Sequence, residues 1–264
     1  MGVIISFGIQ KGGVGKSTTT GISSYLLSKE YKVLAVDFDS QGNLTQFLTQ
    51  KNIYDFTHKT VLEALKEKNP TPYIYKITDS LHILPAEDLL VTFSRYLYRE
   101  YKGNVSTLLS ETLAIVKNHY DFSCSWLPPN LGDPKKNART GSDHVRNLAK
   151  TEPFCVDALE RFLETLTLVQ EKTNPNLRLA GILTTLIDSR TSIDKVILAQ
   201  ARNDYEDIVF NTVIKRKSKI KEFALSGITD IVKSDRDALE MYKEFLEELK
   251  ERVKGWWTKE KTNE

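Results

Sequence analysis

Short apolar runs alternate with amphipathic stretches along most of this 264-residue chain. Runs rich in β-branched residues are typical of strands buried on both faces, and stretches with a period near 3.6 residues are typical of helices packed on a sheet. The predicted strands are Val3–Phe7, Lys32–Asp37, Leu81–Leu84, Arg178–Thr184 and 208–214. The predicted helices run from Lys16 to about Lys29 and over 60–68, 86–101, 105–118, 155–171, 192–205 and 235–253.

This order of elements predicts an α/β fold, a mostly parallel twisted sheet with helices on both faces. Because no internal repeat or Pro/Gly/Ser-rich linker interrupts it, we expect a single domain over 1–264 with a flexible tail at 255–264. The chain is 40% hydrophobic and 27% charged, as expected of a globular protein. A net charge of +2 excludes a polycation that coats DNA with its whole surface, but it does not exclude a local basic patch.

Cysteine and histidine do not form a metal-binding pattern in this sequence. Cys124 and Cys155 lack the CxxC spacing of a zinc or iron–sulfur site, and the four histidines form neither HxxxH nor HExxH.

The apolar run at 3–9 is too short to cross a bilayer and leads directly into Lys11, unlike a signal peptide. We therefore expect a soluble, cytoplasmic protein.

A glycine-rich segment with two lysines joins the first predicted strand to the first predicted helix, which is the context of a phosphate-binding loop. Its glycines permit a sharp turn that brings backbone N–H groups against phosphate oxygens, and the helix N-terminus adds positive charge. Lys16 can place its ammonium between the outer phosphates, and the Ser17 hydroxyl can ligate Mg²⁺. The predicted nucleotide-binding residues are Lys11, Gly12, Gly13, Val14, Gly15, Lys16, Ser17 and Thr18.

The segment Gln10–Thr18, read as QKGGVGKST, resembles the deviant Walker A motif of the ParA/MinD family of P-loop ATPases. It is most similar to the ParA branch, which segregates plasmids and chromosomes. The resemblance implies a P-loop NTPase fold with ATP and Mg²⁺ as cofactors. It also implies that Lys11 reaches across a dimer interface to the partner's ATP, which would make the homodimer depend on ATP.

A second segment, Asp37–Asn43 (DFDSQGN), follows the second predicted strand and resembles the family's D-x-D-x-Q-G-N switch. The resemblance implies that Asp39 lies near the attacking water and the magnesium. Lys11, Lys16 and Asp39 are therefore the catalytic candidates, and Ser17 and Asp39 are the metal candidates. A carboxylate at the end of a strand also lies where ligands bind in open α/β sheets. The alternative is a polar turn in which Asp37 and Asp39 only cap the next helix.

The family's Walker B strand is altered in this chain. The flanks of Tyr120–Gly132 match, but Ser-Cys-Ser at 123–125 replaces the apolar run and Trp126 stands where the family has a magnesium-linked aspartate. Residues 143–150 are also polar where another buried strand is expected. Three interpretations stay open: a diverged or inactivated ATPase, a locally rebuilt sheet, or a misread stretch of sequence. With Trp126 in place, we expect ATP binding with weakened use of Mg²⁺ and slow hydrolysis.

Five basic residues lie within 215–221, which resembles the family's Pro-Arg-x-x-Arg-x-x-Glu segment at Arg216, Lys219 and Glu222. Arg190 ends a loop similar to one that carries another family arginine. The resemblance implies non-specific, salt-sensitive binding of double-stranded DNA. The candidate DNA-binding residues are Arg190, Lys215, Arg216, Lys217, Lys219 and Lys221. Two alternatives remain: a solvated helix start, and a role for Arg216 near the nucleotide base.

Together these features predict a small, Soj-like ParA partition ATPase, without the N-terminal helix-turn-helix domain of larger ParA proteins. The family implies a ParB-like, centromere-binding partner and association with the nucleoid. The alternative is a MinD-like or cargo-positioning nucleotide switch on a membrane or a protein organelle. In the last predicted helix, however, 236–254 carries five basic and six acidic residues, which favours packing of its apolar stripe on the sheet over membrane binding. That stripe is Ala238, Leu239, Tyr242, Phe245, Leu246, Leu249 and Val253.

Overall fold

The computed structural model describes residues 2–8, 15–104, 107–126, 144–150, 155–172, 174–187 and 192–261. Its strands form one eight-stranded sheet in the order β3-β4-β2-β5-β1-β6-β7-β8. Neighbouring strands are parallel, except that β3 runs antiparallel to β4 at the sheet edge. The strands are β1 (Val3–Gly8), β2 (Val33–Val36), β3 (Tyr75–Lys76), β4 (Leu81–Leu84), β5 (Phe122–Trp126), β6 (His144–Lys150), β7 (Arg178–Ile187) and β8 (Val209–Lys215).

The helices cover both faces of this sheet, which confirms the predicted fold class. They are α1 (Lys16–Leu27), α2 (Asn43–Thr49), α3 (Val61–Glu67), α4 (Phe93–Arg99), α5 (Leu108–Lys117), α6 (Cys155–Lys172), α7 (Ser192–Asp204), α8 (Ser218–Ser226) and α9 (Lys233–Lys261). The helix predicted over 86–101 is wrong in its first half. Asp88–Thr92 forms a 3-10 turn, whose start is capped by the Glu87 side chain, and the α-helix begins only at Phe93.

Alternate side chains of the central strands enter two separate cores. Ile5 and Phe7 of β1 pack with α1, α2, α8 and α9, whereas Ile4 of the same strand packs with α3, α4 and α5. This two-sided burial explains why the sequences of β1 and β2 are nearly continuous apolar runs rather than an alternation of apolar and polar residues. It also places the sheet's carboxyl edge between the two helical layers.

The closing helix α9 packs on the sheet as its apolar stripe predicts. All seven stripe residues are buried, and they belong to the same core as α1. Arg252 holds this helix to the sheet: its guanidinium lies 4.2 Å from the centre of the Phe210 ring and donates to the Val209 carbonyl at 2.8 Å and to Glu248 at 2.9 Å. The helix continues to Lys261, past the end predicted near 253, because no proline interrupts it. Among the described residues, no helix is long and apolar enough to cross a membrane.

The polar sequence at 122–126 does not interrupt the sheet. The backbone of β5 pairs with β1 on one side and with β2 on the other. Ser123 and Ser125 are buried, and the Ser125 hydroxyl lies 2.5 Å from that of Ser6 on β1, so these two groups satisfy each other. Strand β6 likewise pairs with β1 and β7. The side chains of Trp126 and of 144–150 lie outside the described residues.

Candidate nucleotide-binding site

The first turn of α1 starts at the carboxyl edge of the sheet, just beyond the end of β1. Gly15 adopts a left-handed conformation there, with φ 75° and ψ 25°, which a glycine tolerates without strain. Within the described part of the chain, no side chain caps this helix end, and its first turn contains no acidic residue. The helix therefore directs positive electrostatic potential at this edge. Lys11, Gly12, Gly13 and Val14 lie outside the described residues.

Lys16 and Asp39 form the electrostatic centre of this edge. The Lys16 side chain is only 5% exposed, and burial lowers its pKa to about 8, although the nearby Asp39 carboxylate opposes that shift. Burial raises the pKa of Asp39, and the effect is opposed by the N–H of Gln41, which donates to Asp39 Oδ1 at 3.1 Å, and by the charge of Lys16. The structure thus brings together two of the three predicted catalytic residues, which are distant in sequence.

Asp37 has a different environment from Asp39, although they belong to the same turn. It is fully buried, and its Oδ2 accepts both the backbone N–H and the hydroxyl of Thr45 at 2.8 Å. The Thr45 hydroxyl in turn accepts the N–H of Ala86 at 2.9 Å. Burial raises the pKa of Asp37 to about 7, and the bonds from Thr45 oppose the shift. The helix-capping alternative therefore fits Asp37, which anchors α2, but not the carboxylate of Asp39, which lies near Lys16.

Gly42 fixes the shape of the turn that carries Asp39. Its φ is 57°, and a Cβ atom at this position would lie 2.5 Å from Ile53 Cγ2 and 2.9 Å from the Ala86 carbonyl oxygen. Neither the backbone conformation nor the space admits a side chain. The glycine of the Q-G-N segment thus lets the chain turn tightly from Asp39 into α2.

The described residues provide a partial set of oxygen donors for Mg²⁺. Ser17 lies half-buried in the first turn of α1, and the Asp39 carboxylate lies at the same edge. Among the described residues, no group of three or more His, Cys, Asp or Glu side chains could hold a metal ion by itself. Mg²⁺ commonly takes one or two protein oxygens and completes its shell with water and substrate phosphates. Ser17 and Asp39 therefore suit Mg²⁺ that arrives with a nucleotide.

A cavity of about 440 Å³ opens beside this edge. Gly15, Thr18 and Thr19 of the α1 start line one part of it, and basic residues of 216–221 line another. Tyr242 of α9 also lines the cavity, and its buried hydroxyl lies near the Thr19 side chain. The volume lies in the range of small-molecule sites. Sequence reasoning assigns Tyr242 to the core stripe alone, because nothing local to α9 indicates that it reaches α1.

The six candidate DNA-binding residues occupy different environments. Arg216, Lys217 and Lys221 line the cavity, whereas Lys215 is exposed and does not line it. The Lys219 ammonium lies 3.1 Å from carboxylate oxygens of both Glu222 and Asp235. Arg190 lies outside the described residues.

Comparisons with known proteins agree with this geometry. A family model described as an AAA domain matches residues 2–179. The sporulation initiation inhibitor protein Soj of Bacillus subtilis is 31% identical, covering 94% of this chain and 98% of its own length. A putative plasmid partition protein of Borrelia burgdorferi, solved with AMPPNP, superposes with a TM-score of 0.80 at 26% identity, covering 96% of this chain and 100% of that one.

A third protein extends the similarity to an enzyme of another reaction. Cobyrinic acid a,c-diamide synthase of Mycobacterium smegmatis, solved with an ATP analogue and magnesium, has a TM-score of 0.75 at 29% identity and covers 86% of this chain and 93% of that one. The phosphate-loop segment, the D-x-D-x-Q-G-N turn beside Lys16 and the Soj match over nearly the whole length agree with one another. This chain belongs to the ParA/MinD family of P-loop ATPases.

Proposed function

We propose that this protein is a ParA-type partition ATPase. It binds ATP with Mg²⁺, forms a homodimer in the ATP-bound state and binds double-stranded DNA non-specifically. With a ParB-like partner it segregates a plasmid or a chromosome, and it works in the cytoplasm on the nucleoid. The observation that carries the proposal is the buried ammonium of Lys16 beside the Asp39 carboxylate at the open start of α1. The partition function itself is taken from the similar plasmid partition protein of Borrelia burgdorferi.

Each residue of the site has a defined task in this proposal. ATP supplies the bond to be hydrolysed, and Mg²⁺ neutralises charge on its phosphates. Lys16 and the N–H groups of the α1 start bind and orient the phosphates. Asp39, whose carboxylate is held by the N–H of Gln41 at 3.1 Å, orients the attacking water. Lys11 of one subunit reaches the nucleotide of the other, so the nucleotide forms part of the interface.

Trp126 sets the expected rate of hydrolysis. It ends β5, next to the end of β1, where the family has a magnesium-linked aspartate. An indole can neither ligate Mg²⁺ nor accept a hydrogen bond from a metal-bound water, since its N–H is only a donor. We therefore propose that ATP binds but is hydrolysed slowly. Trp126→Asp should raise the turnover rate, and no gain in rate would contradict this mechanism.

The test of the proposal is mass in solution together with duplex-DNA binding, each measured with ATP, with ADP and without nucleotide. A dimer that forms only with ATP, and DNA binding that needs ATP and falls as salt rises, are the expected results. Lys11→Ala should abolish the ATP-dependent dimer. Lys51→Ala, which changes an exposed lysine on the loop after α2, is the matched control and should behave as the wild type. DNA binding without ATP that selects a sequence would contradict the proposal.

A nucleotide switch that positions cargo without hydrolysis is the second candidate, and Trp126 is the observation that favours it. Absence of turnover even with duplex DNA and the partner present would support this candidate over the partition ATPase. Membrane binding through the α9 stripe receives no support, since the stripe is occupied by the core.

A further inference from the structure

An exposed acidic surface follows β4 at the carboxyl edge of the sheet. The Tyr54 hydroxyl donates to Asp88 Oδ2 at 2.6 Å and thereby joins the loop after α2 to the loop after β4. Tyr54 is 59% exposed and Val91 is 73% exposed, so both present apolar area to solvent. The hydrogen bond to Asp88 and the charges of Asp88 and Glu87 raise the pKa of the Tyr54 hydroxyl, which indicates negative potential. This surface suits a partner that is basic and partly apolar.

Glu87 contributes charge to the acidic surface although its side chain is buried. It is only 2% exposed, and within the described residues its Oε1 accepts no hydrogen bond. Its Oε2 accepts the backbone N–H of Leu89 at 3.1 Å. The charge of Glu87 is therefore only partly satisfied by its own loop and adds to that of Asp88.

A basic surface lies at the same edge of the sheet, at the end of β8. The strand ends at Lys215, which is exposed, as are Arg216 and Lys221 after it. The charge of Lys219, by contrast, is compensated by two carboxylates at 3.1 Å. Among the three exposed residues, Arg216 and Lys221 line the cavity and Lys215 does not. Lys215 is therefore the basic side chain best placed to contact another macromolecule.

The acidic and basic surfaces lie at equal distances from the phosphate loop. In the sheet order, β4 is three strands to one side of β1 and β8 is three strands to the other side. Because neighbouring strands are about 4.8 Å apart, each surface lies about 14 Å from the end of β1 along the edge. The phosphate loop follows β1, and there Lys11 is expected to reach the nucleotide of the other subunit. A two-fold axis near the end of β1 therefore relates positions at equal distances on its two sides.

Two limiting orientations bring the carboxyl edges of two copies together about such an axis. If the axis runs across the strands within the sheet plane, the acidic surfaces face each other and so do the basic ones. If the axis is perpendicular to the sheet, the acidic surface of each copy faces the basic surface of the other. Opposed like charges are costly and opposite charges attract, so the charges favour the second orientation. The contact then occurs twice, because a two-fold interface is self-complementary.

We infer that the loop after β4 docks on the end of β8 of a second copy, with Asp88 opposite Lys215. The inference rests on the proposed ATP-dependent homodimer, and it takes Lys215 out of the predicted DNA-binding set. In the dimer, the exposed apolar parts of Tyr54 and Val91 are covered by the second copy. The opposed charges fix the orientation of the two subunits.

The test is the dissociation constant of the dimer, measured by analytical ultracentrifugation with ATP and Mg²⁺ and without DNA. Asp88→Lys and Lys215→Asp should each weaken the dimer about tenfold or more, equivalent to about 1.4 kcal/mol, because each creates two repulsive contacts per dimer. The double variant restores opposite charges and should recover to within about threefold of the wild type. Asp79→Lys makes the same change on the turn before β4, at the opposite edge, and should stay within about twofold.

Thermal unfolding and ADP binding of each variant check that it is folded and still binds nucleotide. Neither Asp88 nor Lys215 lines the cavity, so ADP affinity should not change. A variant that loses the dimer but keeps its ADP affinity has lost a contact between subunits rather than the nucleotide site.

The possible outcomes separate this docking contact from the proposed function. If the wild type dimerises with ATP and both single variants stay within about twofold of it, the docking contact is wrong and the proposed function stands. Weakened single variants without recovery in the double variant would also overturn it, since the two side chains would then not be opposed. A Lys215→Asp variant that keeps the dimer but loses DNA binding would assign Lys215 to DNA instead. If the wild type stays monomeric with ATP, the proposed function and the docking contact both fail.

Discussion

The Thr45 hydroxyl connects the turn that carries Asp39 to the loop after β4, and its removal should destabilise the protein. In Thr45→Val the side chain keeps its shape but loses two hydrogen bonds, one donated to Asp37 at 2.8 Å and one accepted from the N–H of Ala86 at 2.9 Å. Thr45, Asp37 and Ala86 are all fully buried, so water cannot replace the lost partner.

The expected magnitude follows from the two bonds separately. A buried donor left without a partner costs about 1–3 kcal/mol, which applies to the Ala86 N–H. Asp37 still accepts hydrogen bonds from the backbone N–H groups of Thr45 and Asp39, so the cost of losing the Thr45 hydroxyl is at the lower end of the same range. We expect the free energy of unfolding to fall by about 2–4 kcal/mol.

Urea unfolding followed by circular dichroism measures this change. Thr45→Ser keeps the hydroxyl and loses one buried methyl group, so it should cost only about 1 kcal/mol. Thr49→Val, on the same helix, removes a hydroxyl that bonds local backbone and is only half-buried, so it should cost less than Thr45→Val. A Thr45→Val loss below about 0.5 kcal/mol, or one no larger than that of Thr45→Ser, would refute the reasoning.

Three further changes test other parts of the structure. Arg252→Ala removes the guanidinium that holds α9 to the sheet and should lower the unfolding free energy by about 2–4 kcal/mol in urea, whereas the exposed control Lys254→Ala should change it by less than about 0.5 kcal/mol. Gly42→Ala places a Cβ where neither φ nor space allows it and should cost about 1–3 kcal/mol by the same measurement. Burial and two neighbouring lysines lower the pKa of His82, so the folded state takes up this proton less readily than the unfolded chain. The contribution of His82 to stability is therefore complete above its usual pKa of 6.5 and is lost as the pH falls toward the lowered pKa. Urea unfolding at about pH 7.5 and about 5.5 should show that the free energy of unfolding falls more in the wild type than in His82→Gln when the pH is lowered. Equal decreases would contradict the assignment.

Elements with long apolar patterns are predictable from the sequence, because burial alone decides their structure. Strand β7 and helix α9 are found at or near their predicted positions. Helix α2 has only seven residues, and its stability comes from tertiary contacts. Phe47 packs so closely on α1 that a Cβ atom at Gly21 would lie 2.5 Å from its ring. No local pattern encodes such a contact.

The sequence predicts only those parts of the site that follow from a single general rule of the fold. The approach of Asp39 to Lys16 follows from the meeting of strand ends at one sheet edge. The sequence does not show that Asp37 has a structural role and Asp39 a different one, because both residues belong to the same turn. Only the folded structure shows that Asp37 is fully buried. The cavity brings Tyr242 and Arg216 to the α1 start from more distant parts of the chain. Such an arrangement exists only after the sheet and α9 have assembled.

The contact between Ser6 of β1 and Ser125 of β5 affects the register that the two strands adopt during folding. Phe122 and Cys124 face the core that contains α1 and α9, while Ser123 and Ser125 face the opposite side. A slip of one residue would exchange the two faces, place the phenylalanine in the wrong layer and leave the Ser6 hydroxyl without Ser125. A purely apolar strand at this central position would penalise such a slip far less. The polar run that departs from the family pattern thus encodes a unique alignment for the strand beside the phosphate loop.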